Sequence, residues 1–545
     1  MDASIDMRTQ EILDLFSARG ANASWLLCDR HGPDETALIL VSPDSYVTTV
    51  TYGELADSSR RFAAVLTARG IGRGDRVATL MGKSADLLTV LLGIWRVGAV
   101  YVPLFTAFAE GAVTSRLASA SVKLVVVDEN QRSKVPDGQC QLLVAGATDK
   151  GSEHDLSHQL SAVQPSATPA AAVGGDGAFV HMLTSGTTGT PKGVVQPVRY
   201  IAGWCGYLEF GLGVRSDSTF WCGADPGWAY GLYTAIVAPL AMGVATILVQ
   251  GGFTAAATWN ALSALKVTHY AAAPTVFRGL MASDVPIPEN LALQRLSSAG
   301  EPLTPDVNEW AEPTLGLAVH DHYGQTEVGM VIGFPHHPAL EIPVQPGAMG
   351  VALPGWEVTV LRHDDDVPAG LGELGRLAVV IASSPFMTFS GYADGRGDVG
   401  RFVGGGAYYL TGDVASMDSE GVVRFSARDD DVIIMAGYRI GPFDVESILL
   451  RHPSVDECAV IPVPDRVRGE VVEAFVVLKN GIVGDTDLVS ELQAWVKQKY
   501  AAHAYPRRVH FVGALPKTPS GKFQRAELRR QRRAEVEAAS RISFG

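Results

Sequence analysis

Charge is scarce in this 545-residue chain: Asp, Glu, Lys and Arg make up 19%, against 47% hydrophobic residues. So low a charged fraction excludes a disordered or fibrous chain and predicts a large buried core. The charge that is present sums to −14, from 44 basic and 58 acidic residues. A broad nucleic-acid surface is thereby disfavoured, because phosphate contacts need clustered Lys and Arg; a locally positive pocket for a small anion is still allowed. Cysteine is scarcer still. Cys28, Cys140, Cys205, Cys222 and Cys458 form no CxxC pair and are odd in number, so reduced, mostly buried thiols are expected, not a disulfide framework or a zinc ribbon. The 58 glycines and 30 prolines follow no period and no internal repeat is present, which excludes collagen-like and low-complexity chains. The N-terminus, Met1-Asp-Ala-Ser-Ile-Asp6, has early acids and no apolar signal core. An untargeted cytoplasmic protein is expected.

Two apolar runs need a membrane check. Ala229 to Val249 has no charged residue, but Pro239 and Gly243 interrupt it and Val244-Ala-Thr-Ile-Leu-Val249 reads as a buried strand. Leu87 to Ala109 carries Arg96, which at mid-bilayer would cost about 2.5–3.5 kcal/mol. Helix followed by buried strand explains both, and no stable membrane insertion is expected.

Helical segments alternate with short Val/Ile/Leu runs along most of the chain. Tyr52 to Ala68 has a helical period, Arg76 to Met81 is strand-like, Leu87 to Val97 leads into Val100-Tyr-Val-Pro103, and Lys123 to Asp128 follows. That alternation predicts α/β layers with largely parallel sheets. Ser152 to Gly177 is polar, lacks periodicity and reads as a surface connection. After Arg428 the elements shorten, which predicts a small α+β domain, and the basic stretch Arg525 to Arg533 reads as a solvated helix face.

The strongest local signal is Leu183-Thr-Ser-Gly-Thr-Thr-Gly-Thr-Pro-Lys-Gly-Val194. Gly186, Gly189 and Gly193 allow close approach of a ligand to the backbone. Hydroxyls of Thr184, Ser185, Thr187, Thr188 and Thr190, with nearby N–H groups, can cradle phosphate oxygens, and Lys192 supplies a cation. The loop is not a Walker A motif, since Lys192 does not directly follow Gly189 and no Ser or Thr follows it. An ordinary flexible loop would not concentrate hydroxyls, glycines and a lysine in this way.

The segment resembles the phosphate-binding signature of the adenylate-forming superfamily, which includes acyl-CoA synthetases, peptide-synthetase adenylation domains and luciferases. Further segments resemble that family in the expected order, over about Leu26 to Arg530. Ser298-Ala-Gly-Glu-Pro302 resembles the segment lining adenine, so Gly300, Glu301 and Pro302 are expected there. Asp321-His-Tyr-Gly-Gln-Thr-Glu327 resembles the nucleotide motif, placing Asp321, His322, Tyr323, Gly324 and Gln325 at the nucleotide, Thr326 on the α-phosphate and Glu327 on Mg²⁺. Tyr409-Leu-Thr-Gly-Asp413 implies Asp413 on both ribose hydroxyls. Arg428-Asp-Asp-Asp-Val-Ile433 and Gly437-Tyr-Arg-Ile-Gly441 resemble the hinge and its sequel. They imply Arg428 near ribose and phosphate, Asp430 as the pivot, Arg439 as a phosphate or CoA contact, and Gly437 and Gly441 beside the pantetheine arm. Pro516-Lys-Thr-Pro-Ser-Gly-Lys522 assigns the adenylation lysine to Lys522, not Lys517.

The resemblance implies an α/β fold: a large N-terminal domain of stacked, mostly parallel sheets with helices and a small distorted barrel, and a small mobile α+β C-terminal domain. Boundaries are expected at 1–428, 429–431 (hinge) and 432–545. The implied enzyme is an acid–thiol ligase using ATP, Mg²⁺ and coenzyme A on a small-molecule carboxylic acid, as a monomer or homodimer. Acetyl-specific relatives carry Trp at the position of Gly324, so glycine implies room for a medium-chain or bulkier acyl group. Trp204, Tyr207, Trp228 and Tyr230 are candidates to wall that pocket, with plain core as the alternative for each. His320 and His322 flank Asp321, but HxH without a third ligand reads as structural, and His336 and His337 read as loop. Two other readings compete: a ligase that only adenylates and hands acyl-AMP to a separate carrier, and a non-catalytic nucleotide- or acyl-binding protein.

Overall fold

The computed structural model describes residues 3–184, 192–393, 395, 400–429, 431–435, 438–465, 468–501, 503–517 and 523–542. The expected helix is Tyr52–Ala68. Its Thr51 side chain accepts from Glu54 N while the Glu54 carboxylate accepts from Thr51 N, a capping box that satisfies two otherwise orphaned donors. Tyr52, Leu55, Phe62 and Leu66 fall on its buried face.

A six-stranded sheet follows the order Gln141–Ala145, Val122–Asp128, Arg76–Leu80, Val100–Pro103, Ala178–Thr184, Lys192–Pro197. All neighbours are parallel except the last pair, the hairpin that brackets the glycine-rich loop. The unbroken Val/Leu run of Val122–Asp128 suits a strand covered on both faces. A second six-stranded sheet has the order Val351–Ala352, Gly329–Gly333, Val319–Gln325, Arg295–Ala299, His269–Ala272, Phe220–Cys222; its last four strands are parallel. A three-stranded sheet pairs Thr246–Val249 with Thr36–Val41, so the run from Ala229 does end in a buried strand. No helix among the described residues is long and apolar enough to cross a membrane. Arg96 ends the helix Ala85–Arg96 and is buried, with Asp29 bidentate to it at 2.6 and 2.7 Å and Ser59 Oγ 2.8 Å from its Nε. Full pairing is what makes a charge tolerable inside that apolar run.

The barrel-like component is an antiparallel sheet in which Val358–Leu361, Gly375–Val380, Tyr408–Met417 and Phe402–Val403 are neighbours and Val423–Arg428 pairs with Tyr408–Met417. Beyond Arg428 the chain builds another sheet, with the long hairpin Val455–Asp465 and Gly469–Leu478 and the parallel strand Arg508–Phe511. Helices Pro442–Leu449, Thr486–Lys499 and Arg525–Ile542 accompany it. Ile433, Val445, Leu449, Val460, Leu492 and Leu528 belong to a core cluster distinct from the main one.

Two stretches differ from expectation. The 152–177 connection contains the helix Leu156–Ser161, capped by Asp155, because Leu156 is an apolar anchor and is buried. The 525–533 stretch is not merely solvated. Residues four and seven apart share a helix face, so Arg525, Arg529 and Arg532 turn together toward carboxylates: Glu446 (2.6 Å), Asp431 and Glu473 (2.7 Å).

Candidate active site

The hairpin Ala178–Thr184/Lys192–Pro197 presents both ends of the glycine-rich loop, with Thr184 opposite Lys192 and its Oγ1 donating to the Lys192 carbonyl at 3.3 Å. Lys192 Nζ lies 5.1 Å from the centre of the Tyr392 ring, within cation–π range. The Tyr392 hydroxyl donates to Glu327 Oε1 at 2.7 Å. A lysine at the loop and a carboxylate on the nucleotide motif therefore meet over one tyrosine. Gly193 does not face a ligand: a Cβ there would lie 2.3 Å from His181 Nε2. The buried imidazole fills the space that the sequence reading reserved for close ligand approach.

The strand Val319–Gln325 carries most of the nucleotide motif. Its partner Arg295–Ala299 sets Ser298 opposite Asp321 and delivers Gly300, at φ +99, and Glu301 just beyond the strand end. Open space surrounds the Cβ position of Gly300, whereas the Glu301 carboxylate is held by Arg278 at 3.1 Å. Pro302 leads to Leu303, whose N–H donates to Asp321 Oδ2 at 3.4 Å; Asp321 Oδ1 and Ser298 Oγ are buried with no partner among the described residues. Burial pushes the Asp321 carboxyl well above the usual range.

Tyr323 and Gln325, alternate residues on one face, both reach Asp413 Oδ2: the Tyr323 hydroxyl donates to it, as does Gln325 Nε2 at 2.9 Å. Asp413 lies directly across from Arg428 on the neighbouring strand, whose Nη1 is 3.3 Å from Oδ1. Burial raises the Asp413 pKa, with Arg428 and the Tyr323 hydrogen bond acting in the opposite sense. Two donors and one cation thus fix a buried two-oxygen acceptor, the arrangement that a vicinal diol requires. Thr326 sits in the turn after the strand, its carbonyl receiving Tyr200 Oη at 3.0 Å and Gln196 Nε2.

The His residues are structural. The Phe334 carbonyl can only accept, so His320 Nδ1 (2.9 Å) and His322 Nε2 (3.0 Å) both point protons at it, and His336 stacks on His320 with ring centres 3.6 Å apart. Burial lowers the His322 pKa to about 3, so it is neutral, and its bare Nδ1 accepts from Tyr207 Oη at 2.9 Å. No group of three metal-ligating side chains occurs among the described residues. Glu327 alone fits Mg²⁺, which commonly takes one or two carboxylates with the remainder from substrate phosphates and water.

Trp204 and Tyr207 are 2% exposed, and Trp204 stacks on Tyr233 at 4.9 Å, so both belong to the core. Trp228 and Tyr230 stay partly open, with Phe105 and Phe108 at 5.0 and 5.6 Å from the Trp228 ring. Gly324 offers no void. A Cβ there would lie 2.2 Å from the Gly329 carbonyl and 2.6 Å from Met330 Sδ, because the register shifts between Tyr323 and Gly324 and crowds the two strands. Gly441 likewise turns toward Ser426 Oγ, 2.1 Å from a Cβ position, not toward an open channel. Ser185, Gly186, Thr187, Thr188, Gly189, Asp430, Gly437 and Lys522 lie outside the described residues, and Arg439 is described by its backbone pairing with Ile434. Tyr392, Arg278 and Tyr207 carry no motif signal. They reach the site across 65, 23 and 115 residues of chain.

Comparison with known proteins accords with this geometry. The family model described as AMP-binding enzyme matches residues 28–393, and that of the AMP-binding enzyme C-terminal domain matches 444–522. The acetyl-coenzyme A synthetase of Bacillus subtilis is 34% identical over 88% of this chain and 84% of its own length. The crystal structure of an acyl-CoA synthetase from Brucella canis is 42% identical, with a TM-score of 0.75 and 99% of each chain covered. MatB from Rhodopseudomonas palustris, 26% identical, superposes at a TM-score of 0.82 with ATP bound and 0.73 without ligand; 94% of this chain and 99% of MatB are covered in both comparisons. With both family models matched in order along the chain, it belongs to the AMP-binding enzyme family, an adenylate-forming ligase of the acyl-CoA synthetase type.

Proposed function

We propose that this ligase activates a medium-chain or bulkier carboxylic acid, and that residues 1–428 bind the ligands, 429–431 form a hinge and 432–545 act as a mobile cap. The overall reaction is that of the family. A carboxylate oxygen attacks the α-phosphorus of ATP to give acyl-AMP and pyrophosphate, and the thiol of coenzyme A then takes the acyl group and releases AMP. The observation that carries the reading is the convergence of Lys192, Tyr392 and Glu327 beside the Tyr323–Gln325–Asp413–Arg428 cluster.

The acid is ionised at neutral pH and needs no general base. Its approach to ATP meets like-charge repulsion, which Lys192 and Arg428 offset and the adenylation lysine Lys522 would relieve at the reacting atoms. Asp413 accepts from the ribose hydroxyls and so sets the lateral position of the α-phosphate against Thr326. Glu327, oriented by the Tyr392 hydroxyl, would hold Mg²⁺, which would supply positive charge to offset that of the phosphates. A bulky acid is supported by the partly open aromatic wall of Trp228 and Tyr230. The hinge is supported by the separate core beyond residue 432 and by the gap between the two family matches. Free cysteines, four of the five buried, suit a reducing compartment, and the proposed location is the cytoplasm.

The deciding experiment is ATP–pyrophosphate exchange across acids of rising chain length and width, repeated with coenzyme A and product identification. Exchange stronger with longer or wider acids than with acetate, and conversion to acyl-CoA, is expected. An acetate optimum would refute the acid class, and exchange with no acyl-CoA would identify an adenylation-only ligase. For Lys522→Ala, adenylation is expected to collapse while coenzyme A still attacks supplied acyl-AMP; equal loss of both steps would remove Lys522 from the proposed role.

A further inference from the structure

One hydrogen-bond chain in the site has a proton order fixed from its buried end. The Phe334 carbonyl accepts from His322 Nε2 at 3.0 Å, which leaves His322 Nδ1 as an acceptor. The single proton of Tyr207 therefore goes to Nδ1 at 2.9 Å. The Tyr207 oxygen lies 3.1 Å from Tyr230 Oη, and with its own proton already committed it can only accept there. The Tyr230 proton is thus committed in turn, and its oxygen has only lone pairs to offer. Burial holds both phenols well above their ordinary pKa and His322 well below its own, so none of these protons moves near neutral pH.

The chain runs outward. His322 is 1% exposed and Tyr207 2%, while Tyr230 is partly open, two residues from Trp228 in the wall assigned above to the acyl pocket. No other partner of Tyr230 Oη occurs among the described residues. We infer that Tyr230 is a specificity-determining residue that presents a fixed hydrogen-bond acceptor to the acyl chain, so that the preferred acid carries a hydroxyl group partway along its length. A protonated amine offers the same donor but would lose its hydration against Phe105, Phe108 and Trp228, so the neutral hydroxyl is the fitting class. The inference rests on the acyl-pocket reading of Trp228 and Tyr230.

The test compares straight-chain acids with their mono-hydroxylated and mono-oxo counterparts, scored by kcat/KM for acyl-CoA formation at saturating ATP and coenzyme A. In the unaltered enzyme one hydroxyl position is expected to exceed its alkyl parent by about tenfold, about 1.4 kcal/mol. Tyr230→Phe should abolish that preference, so that the hydroxylated acid and its alkyl parent are turned over with equal kcat/KM. Tyr207→Phe leaves the Tyr230 proton without its acceptor and free to donate, so oxo acids should gain relative to their alkyl parents while hydroxy acids can still donate to the Tyr230 oxygen, a gain that loss of packing alone cannot produce. Parent acids turned over with no hydroxyl preference at any position, or a preference unchanged in Tyr230→Phe, would overturn the inference and leave the ligase assignment standing. Failure of every acid in the series to form acyl-CoA would strike the acyl-pocket reading itself, and the inference with it.

Discussion

Asp444 stands where the chain after the proposed hinge meets the large domain, and it gives the sharpest test of that contact. Ser426 Oγ, on the strand Val423–Arg428, donates to Asp444 Oδ2 at 2.7 Å, and Tyr500 Oη donates at 3.3 Å. Burial, opposed by these two hydrogen bonds, pushes the carboxyl up to about 6. An unfolded chain would show about 3.9. Because the folded value is the higher one, the folded state binds the proton more tightly. Stability from this group is therefore complete below about pH 4 and is lost as pH rises through about 6. Two pH units at about 1.4 kcal/mol each put the penalty at about 3 kcal/mol at neutral pH. Asp444→Asn keeps an oxygen that accepts from Ser426 and Tyr500 and removes the charge. The variant should be more stable than the parent by up to about 3 kcal/mol at about pH 7, with the advantage gone at about pH 4. Urea unfolding of the full chain at both pH values, with amide exchange of the helix Pro442–Leu449 as the local readout, measures it. Equal stability of variant and parent at neutral pH, or an advantage that does not change with pH, would refute the reasoning.

Three further outcomes are expected. Asp413→Asn removes a charge that receives Tyr323, Gln325 and Arg428; at about 1.5–3 kcal/mol for a hydrogen bond to a charged group, kcat/KM for ATP should fall at least tenfold, read by varying ATP at saturating acid. Tyr392→Phe deletes the donor that orients Glu327, a net loss of about 1 kcal/mol, and should raise the Mg²⁺ concentration for half-maximal activity several-fold in a titration at constant ATP. Gly324→Ala sets a Cβ against the Gly329 carbonyl, which backbone cannot yield cheaply; a loss of about 1–3 kcal/mol in chemical unfolding is expected, and an unchanged midpoint would show that the strand pair adapts.

How much of this was legible in the sequence depends on how local the cause is. The helix Tyr52–Ala68 and the strands Arg76–Leu80 and Val100–Pro103 matched their patterns closely, because period and capping are read within a few residues. The nucleotide motif was legible for the same reason: Tyr323, Gln325, Asp413 and Arg428 do converge, since a strand places alternate residues on one face and a neighbouring strand returns opposite it. Tyr392 was not legible, nor was the bond of Tyr207, named as wall or core, to His322, because these roles exist only once distant segments meet. The glycines show the limit most clearly. Gly193, Gly324 and Gly441 were each read as room for a ligand, yet a Cβ at those positions would strike His181, the Gly329 carbonyl and Ser426. A glycine in a sequence reports that a side chain is excluded there, and it is silent on whether ligand or protein does the excluding. The terminal arginines repeat the lesson with charge. A basic run reads as solvated because its partners, Glu446, Asp431 and Glu473, are 59 to 98 residues away and two of them are buried by the packing that the pairing permits. Burial of those acids and placement of those arginines are one event of folding, so neither can be read from its own segment alone.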